Sequence, residues 1–238
     1  MSSTFLTAQW RKLIMANYPV DPAVLRPFLP AGTELDQWKG ETYVSLVGFM
    51  FRDVRVRNIA IPYHRHFPEV NLRFYIRFKD GKEWKRGVVF ISEIVPRPAI
   101  AWVANTLFGE HYVNLPMRHF EEVKDDQLQV GYEWKHKGRW NYLRVDAGPR
   151  PLSLAADSNE EFITEHFWGY TAMKNNKTGE YQVEHPRWDI YSINHHQVDC
   201  DFSSLYGETF SGLTTQVPES VFLAEGSAIK VYSKRTIE

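Results

Sequence analysis

The 238-residue sequence has a single cysteine, Cys200, so no internal disulfide can form and an oxidising compartment is not implied. It has no apolar run approaching the roughly 18 residues of a membrane-spanning helix. Its start, Met1 to Lys12, carries Arg11 and Lys12 after its apolar residues and lacks the core of a secretory leader. There is no surplus of charge either: 28 Lys and Arg face 29 Asp and Glu, which removes bulk attraction to a phosphate backbone as a driving force. Phosphate-cradling glycine loops and dinucleotide fingerprints are missing too. No repeat, low-complexity tract or linker rich in Gly, Ser or Pro divides the chain. These absences lead to the expectation of one domain over residues 1–238, cytoplasmic, with neither membrane nor nucleic acid as partner and with self-association left open.

What the sequence does have is aromatic residues, 15% of the total, including 8 Trp and 12 Tyr. Large rigid rings suit both strand-built cores and ligand pockets. The clearest strand runs from Glu69 to Phe78, where Val70, Leu72, Phe74, Ile76 and Phe78 alternate with Glu69, Asn71, Arg73, Tyr75 and Arg77. Asp80-Gly81 follows as a hairpin turn, and Val88 to Val95 reads as a more deeply buried return strand. Thr42 to Phe51 is another strand, entered from a turn at Lys39-Gly40. Leu128 to Trp134 and Trp140 to Val145 flank a turn at Gly138, and strand pairs resume around Asn175 to Gly179 and run on to Ile229–Ser233.

Helices are few and short. Asp21-Pro22 opens one with Leu25, Phe28 and Leu29 on its face, closed by Pro30 and Gly32. Pro96 and Pro98 introduce a second, with Ile100, Val103, Ala104 and Leu107 on one face and Gly109 as its stop. Ser158 and Glu161 have capping-box spacing, predicting a third helix through Phe167 that Gly169 ends. Many antiparallel strands with a few short helices make a mainly β or α+β fold, as a closed β-barrel or a related α+β architecture.

Several stretches carry a resemblance. They are Tyr18 to Leu35, Tyr43-Val44-Ser45-Leu46-Val47-Gly48-Phe49, Phe67-Pro68-Glu69-Val70-Asn71-Leu72-Arg73, Tyr112 with Asn114-Leu115-Pro116-Met117, and His166-Phe167-Trp168-Gly169-Tyr170. Together these resemble the YqjF-like family of uncharacterised proteins. The order of elements is similar, at greater distance, to the acetoacetate decarboxylase superfamily, which implies an antiparallel cone-shaped β-barrel with a pocket inside. In that enzyme two lysines follow the proline of an aromatic-x-x-Pro segment, and one forms a Schiff base. Here Pro116 is followed by Met117 and Arg118, neither of which can form an imine. Glu69 falls where the resemblance implies a pocket glutamate.

Glu69, Asn71 and Arg73 lie at i, i+2 and i+4, so their side chains leave one face of a strand, about 6.6 Å between neighbours. That face looks either into water or into the interior. In the second case Arg73 would hold a carboxylate as a fork, with Glu69 as acid, base or hydrogen-bond partner and Asn71 between them. Arg97, Met117 and Arg118 are further candidates for the same pocket.

Other constellations have plainer readings. His64 and His66 with Glu69, and His185, His195, His196 and Asp199 farther on, have ligand chemistry. Their spacing differs from the usual barrel metal motif, so no metal and no other cofactor is expected. Cys200 lacks an elbow motif and reads as a small buried thiol. The segment Tyr132 to Trp140 interleaves basic and aromatic residues as nucleic-acid platforms do, and equally as a solvated hairpin tip does. The leading expectation is a β-barrel that binds a small carboxylate or carbonyl compound without imine chemistry. The alternatives are an enzyme that uses Glu69 and an arginine on such a compound, or a protein-interaction module with an exposed aromatic surface.

Overall fold

The computed structural model describes residues 3–237 and, within them, the side chains of all but residues 104, 107 and 108. In chain order the strands are β1 (Thr4–Val20), β2 (Thr33–Leu35), β3 (Thr42–Val56), β4 (Ile59–Ala60), β5 (Phe67–Asp80), β6 (Glu83–Val95), β7 (Tyr112–Asn114) and β8 (Met117–Lys124). They continue as β9 (Gln127–His136), β10 (Arg139–Leu152), β11 (Trp168–Met173), β12 (Lys177–Glu184), β13 (Ile190–Asp199), β14 (Ser220–Tyr232) and β15 (Arg235–Ile237). The α-helices are α1 (Pro22–Leu25), α2 (Pro98–Phe108), α3 (Asn159–Thr164) and α4 (Phe202–Tyr206). Among the described residues, no helix is long and apolar enough to cross a membrane.

Strand pairing closes on itself. The order β12-β11-β6-β5-β3-β1-β14 is continuous, and β14 pairs back onto β12 through Val183↔Val231. Beyond β14 the same sheet continues as β13-β10-β9-β8, and this extension folds back over the outer face of β1, β3 and β5. Tyr132 of β9 marks the closeness of the two layers. Its ring lies where a Cβ on Gly48 would come within 2.7 Å, and its hydroxyl donates to the Lys12 carbonyl at 2.7 Å.

Two apolar cores result. Val70, Leu72, Phe74 and Ile76 of β5 pack outward against Val130, Trp134 and Leu143, with Phe202 of α4 closing the end. The other core lies inside the ring and gathers Tyr43, Val47, Phe49, Phe67, Val88 and Phe162. The alternation predicted for β5 is therefore present, but both of its faces are covered: residues 67–76 are buried without a break. The solvent-face reading of Glu69, Asn71 and Arg73 is overturned, because the extension of the sheet takes the apolar face and leaves the polar one to the interior.

Three other strands of the ring keep an interior face only by changing phase. In β1, Ala8 and Trp10 face the inner core, and so do Leu13 and Met15. An even-numbered series becomes an odd one at Lys12, whose φ is 54°. In β3 the inward residues pass from Phe49 and Phe51 to Val54 across Asp53, also at φ 54°. In β6 they pass from Val88 and Phe90 to Val95, where the pairing with β5 shifts register beside Leu72 and Arg73. Each is a β-bulge, which adds a residue, bends the strand and flips the faces beyond it. A bulged strand does not show one period along its length, so β1 is not legible from its own alternation.

Several expected elements are found with shifted ends. Asp21 caps α1 by accepting from the Ala23 N–H at 2.7 Å, and Gly109 stops α2 at φ 65°. The apolar face expected for α2 includes Ala104 and Leu107, whose side chains lie outside the described residues. Ser158 caps α3 by accepting from the Glu161 N–H at 3.1 Å. The helix stops at Thr164 rather than Phe167, because Trp168 and Gly169 join β11 and pair with both β12 and β6. Gly169 is needed there as a gap for the Tyr181 ring, which a Cβ would meet at 2.1 Å. The basic–aromatic string at Tyr132 to Trp140 forms the β9–β10 hairpin. Its Tyr132 and Trp134 rings are buried, so neither is presented for stacking.

Gly226 faces Arg11 across the β1–β14 pair at φ 78°, and a Cβ there would sit 2.1 Å from the Trp10 carbonyl oxygen. Gly226→Ala is therefore expected to lower the unfolding free energy by more than about 1 kcal/mol. Gly212→Ala, where nothing lies within 4 Å of the added carbon, should change it by less than about 0.5 kcal/mol. The midpoints of urea unfolding curves for the two variants measure the difference.

Candidate functional site

Inside the ring is a cavity of about 240 Å³. Its walls are mostly apolar, with Trp10, Phe49, Phe51, Val88 and Trp188 among them. Its polar groups come chiefly from the interior face of β5 and from the strands next to it. Glu69, Asn71 and Arg73 all line the cavity and all are buried, so the i, i+2, i+4 pattern does bring them together.

Glu69 is held at both oxygens: Asn71 Nδ2 donates to Oε1 at 3.0 Å and the Tyr112 hydroxyl to Oε2 at 3.1 Å. Burial nevertheless dominates and pushes the Glu69 carboxyl up to about 7. Two more carboxyls stand nearby. Glu93 of β6 lies opposite Asn71 in the sheet, and Glu110 follows α2 and accepts from Thr171 Oγ1 at 2.7 Å. Burial raises Glu110 to about 7, and burial with the neighbouring carboxylates raises Glu93 well above the carboxylate range. Glu69, Glu93 and Glu110 cannot all ionise in so little water, so they titrate as a group that retains protons near neutrality. Tyr112 and Tyr181 join the cluster, their hydroxyls also held protonated by burial and by these carboxylates.

Arg73 has different surroundings. It is 9% exposed, yet among the described residues no carboxylate lies within ion-pair distance of it. Its Nη2 reaches the Met15 sulfur at 3.7 Å, its guanidinium lies 5.7 Å from the Tyr75 ring, and its Nε has no hydrogen-bond partner. Asn71 Oδ1 and Glu93 Oε2 likewise have none. These unmet donors and acceptors belong to residues that line a mostly apolar cavity, where each is costly.

The remaining expected site residues lie elsewhere. Met117 packs against the outer core. Arg118 is exposed, stacked 3.6 Å from the centre of the Trp140 ring and 3.4 Å from Glu133. Both belong to β8, which pairs only with β9 at the far edge of the extension and so never reaches the ring interior. Arg97 is exposed at the start of α2. None of these three lines the cavity.

The histidines do not assemble a ligand set, although His64 and His185 both line the cavity. His64 Nδ1 contacts the Pro62 carbonyl at 2.8 Å, His66 Nδ1 accepts from the Asp53 N–H at 3.3 Å, and His185 stacks on Trp188 with ring centres 4.2 Å apart. His195 and His196 lie on β13, exposed. Among the described residues no three His, Cys, Asp or Glu side chains are placed so that they could hold a metal ion. Cys200 is buried in the outer core, its thiol raised by burial.

The sequence reading missed Glu93, Glu110, Tyr112 and His166 as site residues. Glu93 had a visible signal, as the one charge inside the apolar run from Val88 to Val95.

Residues 7–228 match the model of a family described as an uncharacterised conserved protein, DUF2071. A curated relative, "Uncharacterized protein YqjF" of Bacillus subtilis strain 168, is 31% identical over 184 residues, covering 75% of this chain and 72% of its own length. Among solved structures, an acetoacetate decarboxylase from Legionella pneumophila superposes with a TM-score of 0.68 at 14% identity, over 99% of this chain and 88% of its own. The enduracididine biosynthesis enzyme MppR, complexed with pyruvate, gives 0.70 at 12% identity, over 100% and 91%. The fold is thus acetoacetate decarboxylase-like and mostly β.

A carboxyl whose folded pKa is raised keeps a proton that the unfolded chain gives up. Its contribution to stability is therefore full below about 4.5 and is lost as the pH rises toward about 7. Glu69→Gln, which stays neutral, should flatten this loss. Urea midpoints compared between wild type and variant from about pH 5 to about pH 8 should diverge in favour of the variant as the pH rises. Parallel curves would refute the raised pKa.

Proposed function

Because the chain belongs to the DUF2071 family of uncharacterised conserved proteins, we propose its function from the site: it binds a small, largely apolar carboxylate inside an acetoacetate decarboxylase-like barrel, one domain over residues 1–238. The observation that carries this reading is Arg73, a buried guanidinium beside the Tyr75 ring that, among the described residues, has no carboxylate within ion-pair distance, its charge reaching Glu69 only at longer range. A buried charge without a partner costs several kcal/mol. A ligand carboxylate supplies the missing charge and accepts from a planar fork in two places. The apolar walls take the body of the ligand.

Glu69 supports a second reading, in which the bound compound is also turned over. A carboxyl near neutrality, hydrogen-bonded and facing the cavity, can both give and take a proton, so removal of a proton beside a carbonyl is the chemistry it fits. No imine enters either reading, since no lysine is among the residues that line the cavity.

Arg73→Met should weaken binding of 3-phenylpropanoate at least tenfold in isothermal titration while the far-ultraviolet circular dichroism stays that of the wild type. Equal affinity in the two proteins would remove the anion site. Incubation with acetoacetate and borohydride should leave the intact mass unchanged. Lys234, whose amine is lowered by burial beside Glu110, is the residue to inspect if an adduct forms, and such an adduct would restore imine chemistry. Deuterium exchange beside the carbonyl of a bound ketone, lost in Glu69→Gln, would promote the second reading over simple binding.

A further inference from the structure

A second built feature of the cavity is a histidine that neither reading above uses. His166 follows α3, lines the cavity, and its side chain is only 1% exposed. Its Nε2 lies 3.1 Å from Asp36 Oδ2. Asp36 is itself pinned: the same oxygen accepts from Arg86 Nε at 2.7 Å, and the Asp36 backbone N–H donates to the Tyr75 carbonyl at 3.0 Å. The imidazole is clamped between Tyr75 and Phe162, with ring centres at 4.7 Å and 5.2 Å. Position, orientation and tautomer are therefore all set, with the proton on Nε2 facing Asp36. Nδ1 is buried and, among the described residues, has no hydrogen-bond partner.

We propose that His166 Nδ1 is a fixed acceptor for a ligand hydroxyl, so that the pocket selects hydroxy acids over the corresponding simple acids. The inference rests on the anion-binding reading of Arg73 and adds a second anchor to it. The two anchors share a neighbour, since the Arg73 guanidinium and the His166 ring both border the Tyr75 ring, at 5.7 Å and 4.7 Å. Burial holds His166 down to about 4, with the Arg86 and Arg73 charges acting in the same sense, so the ring stays neutral and its Nδ1 lone pair stays available. A carboxylate satisfies Arg73 but has no hydrogen to offer this lone pair. A hydroxyl on the same ligand does. Sites built to hydrogen-bond a hydroxyl reject the analogue that lacks it, because the buried acceptor is then left unmet. Asp36 is a positioning residue here, acting on the ligand only through the imidazole.

The test uses the full-length protein with imidazole and guanidinium nitrogens labelled with ¹⁵N, titrated with 3-phenylpropanoate and with its 2-hydroxy and 3-hydroxy derivatives. All three acids should shift the Arg73 Nε resonance. One hydroxy acid should also shift His166 Nδ1 and bind about tenfold tighter than the parent, the effect of one well-made hydrogen bond. His166→Phe, which keeps a ring between Tyr75 and Phe162, should bring that preference to about one, and Asp36→Asn should reduce it partway. If every acid moves Arg73 but none moves Nδ1 and no hydroxy derivative outbinds the parent, the role of His166 falls and the anion site stands. If no acid moves either residue, both fall together.

Discussion

The constraint on which the rest of the molecule depends is that β5 is buried on both faces while one of those faces carries charge. A strand with Val70, Leu72, Phe74 and Ile76 on one side needs an apolar layer there, and the extension β13-β10-β9-β8 supplies it by folding back over the ring. Once that side is closed, Glu69, Asn71 and Arg73 have nowhere to point but inward. The interior must then stay wide enough to hold them. Bulges at Lys12 and Asp53 and the register shift beside Leu72 and Arg73 keep side chains of β1, β3 and β6 facing the cavity along nearly their whole length.

An interior of this kind is costly, and the chain meets the cost in two different ways. The carboxyls of Glu69, Glu93 and Glu110 ionise less readily than in water: burial raises all three, and Tyr112, Thr171 and Asn71 hydrogen-bond to the group. A guanidinium cannot lose its proton in the same way, so Arg73 stays charged and its cost stays on the site. Asp36 and His166 show the contrasting solution, where Arg86 compensates the carboxylate and the histidine is left neutral. This asymmetry between acids that retain protons and a cation with no close ion pair is what the proposed anion site rests on, in a chain whose net charge is -1.

The fold is shared with decarboxylases and with an enduracididine biosynthesis enzyme at only 12–14% identity, a distance at which architecture persists and chemistry need not. In this chain the residues after the proline of the aromatic segment, Met117 and Arg118, sit on β8 outside the ring. The polar equipment of the cavity is acid, amide, phenol, guanidinium and imidazole. That set has the chemistry to orient an anion and to move protons, and no lysine is among the described residues that line the cavity.

Much of this was readable in the residues alone. The period of two over Glu69 to Phe78, the Asp80-Gly81 turn, the capped starts of α1 and α3 and the Gly109 stop are local rules, written within a few residues of one another. Local rules also placed Glu69, Asn71 and Arg73 on one face. They do not say what covers the other face, because Val130, Trp134 and Leu143 reach Leu72 and Phe74 from far along the chain. The alternation of β1 stayed hidden because a bulge at Lys12 breaks its period, and α3 was read too long because the demand of β12 and β6 for Trp168 and Gly169 is not local. The same holds for the site. The sequence by itself determined which groups could do chemistry and which face of β5 they share. Only the tertiary structure decided that this face is dry, that Glu93, Glu110, Tyr112 and His166 join it, and that Arg97, Met117 and Arg118 do not, because burial and proximity are properties of the closed ring and its second layer, not of any one strand.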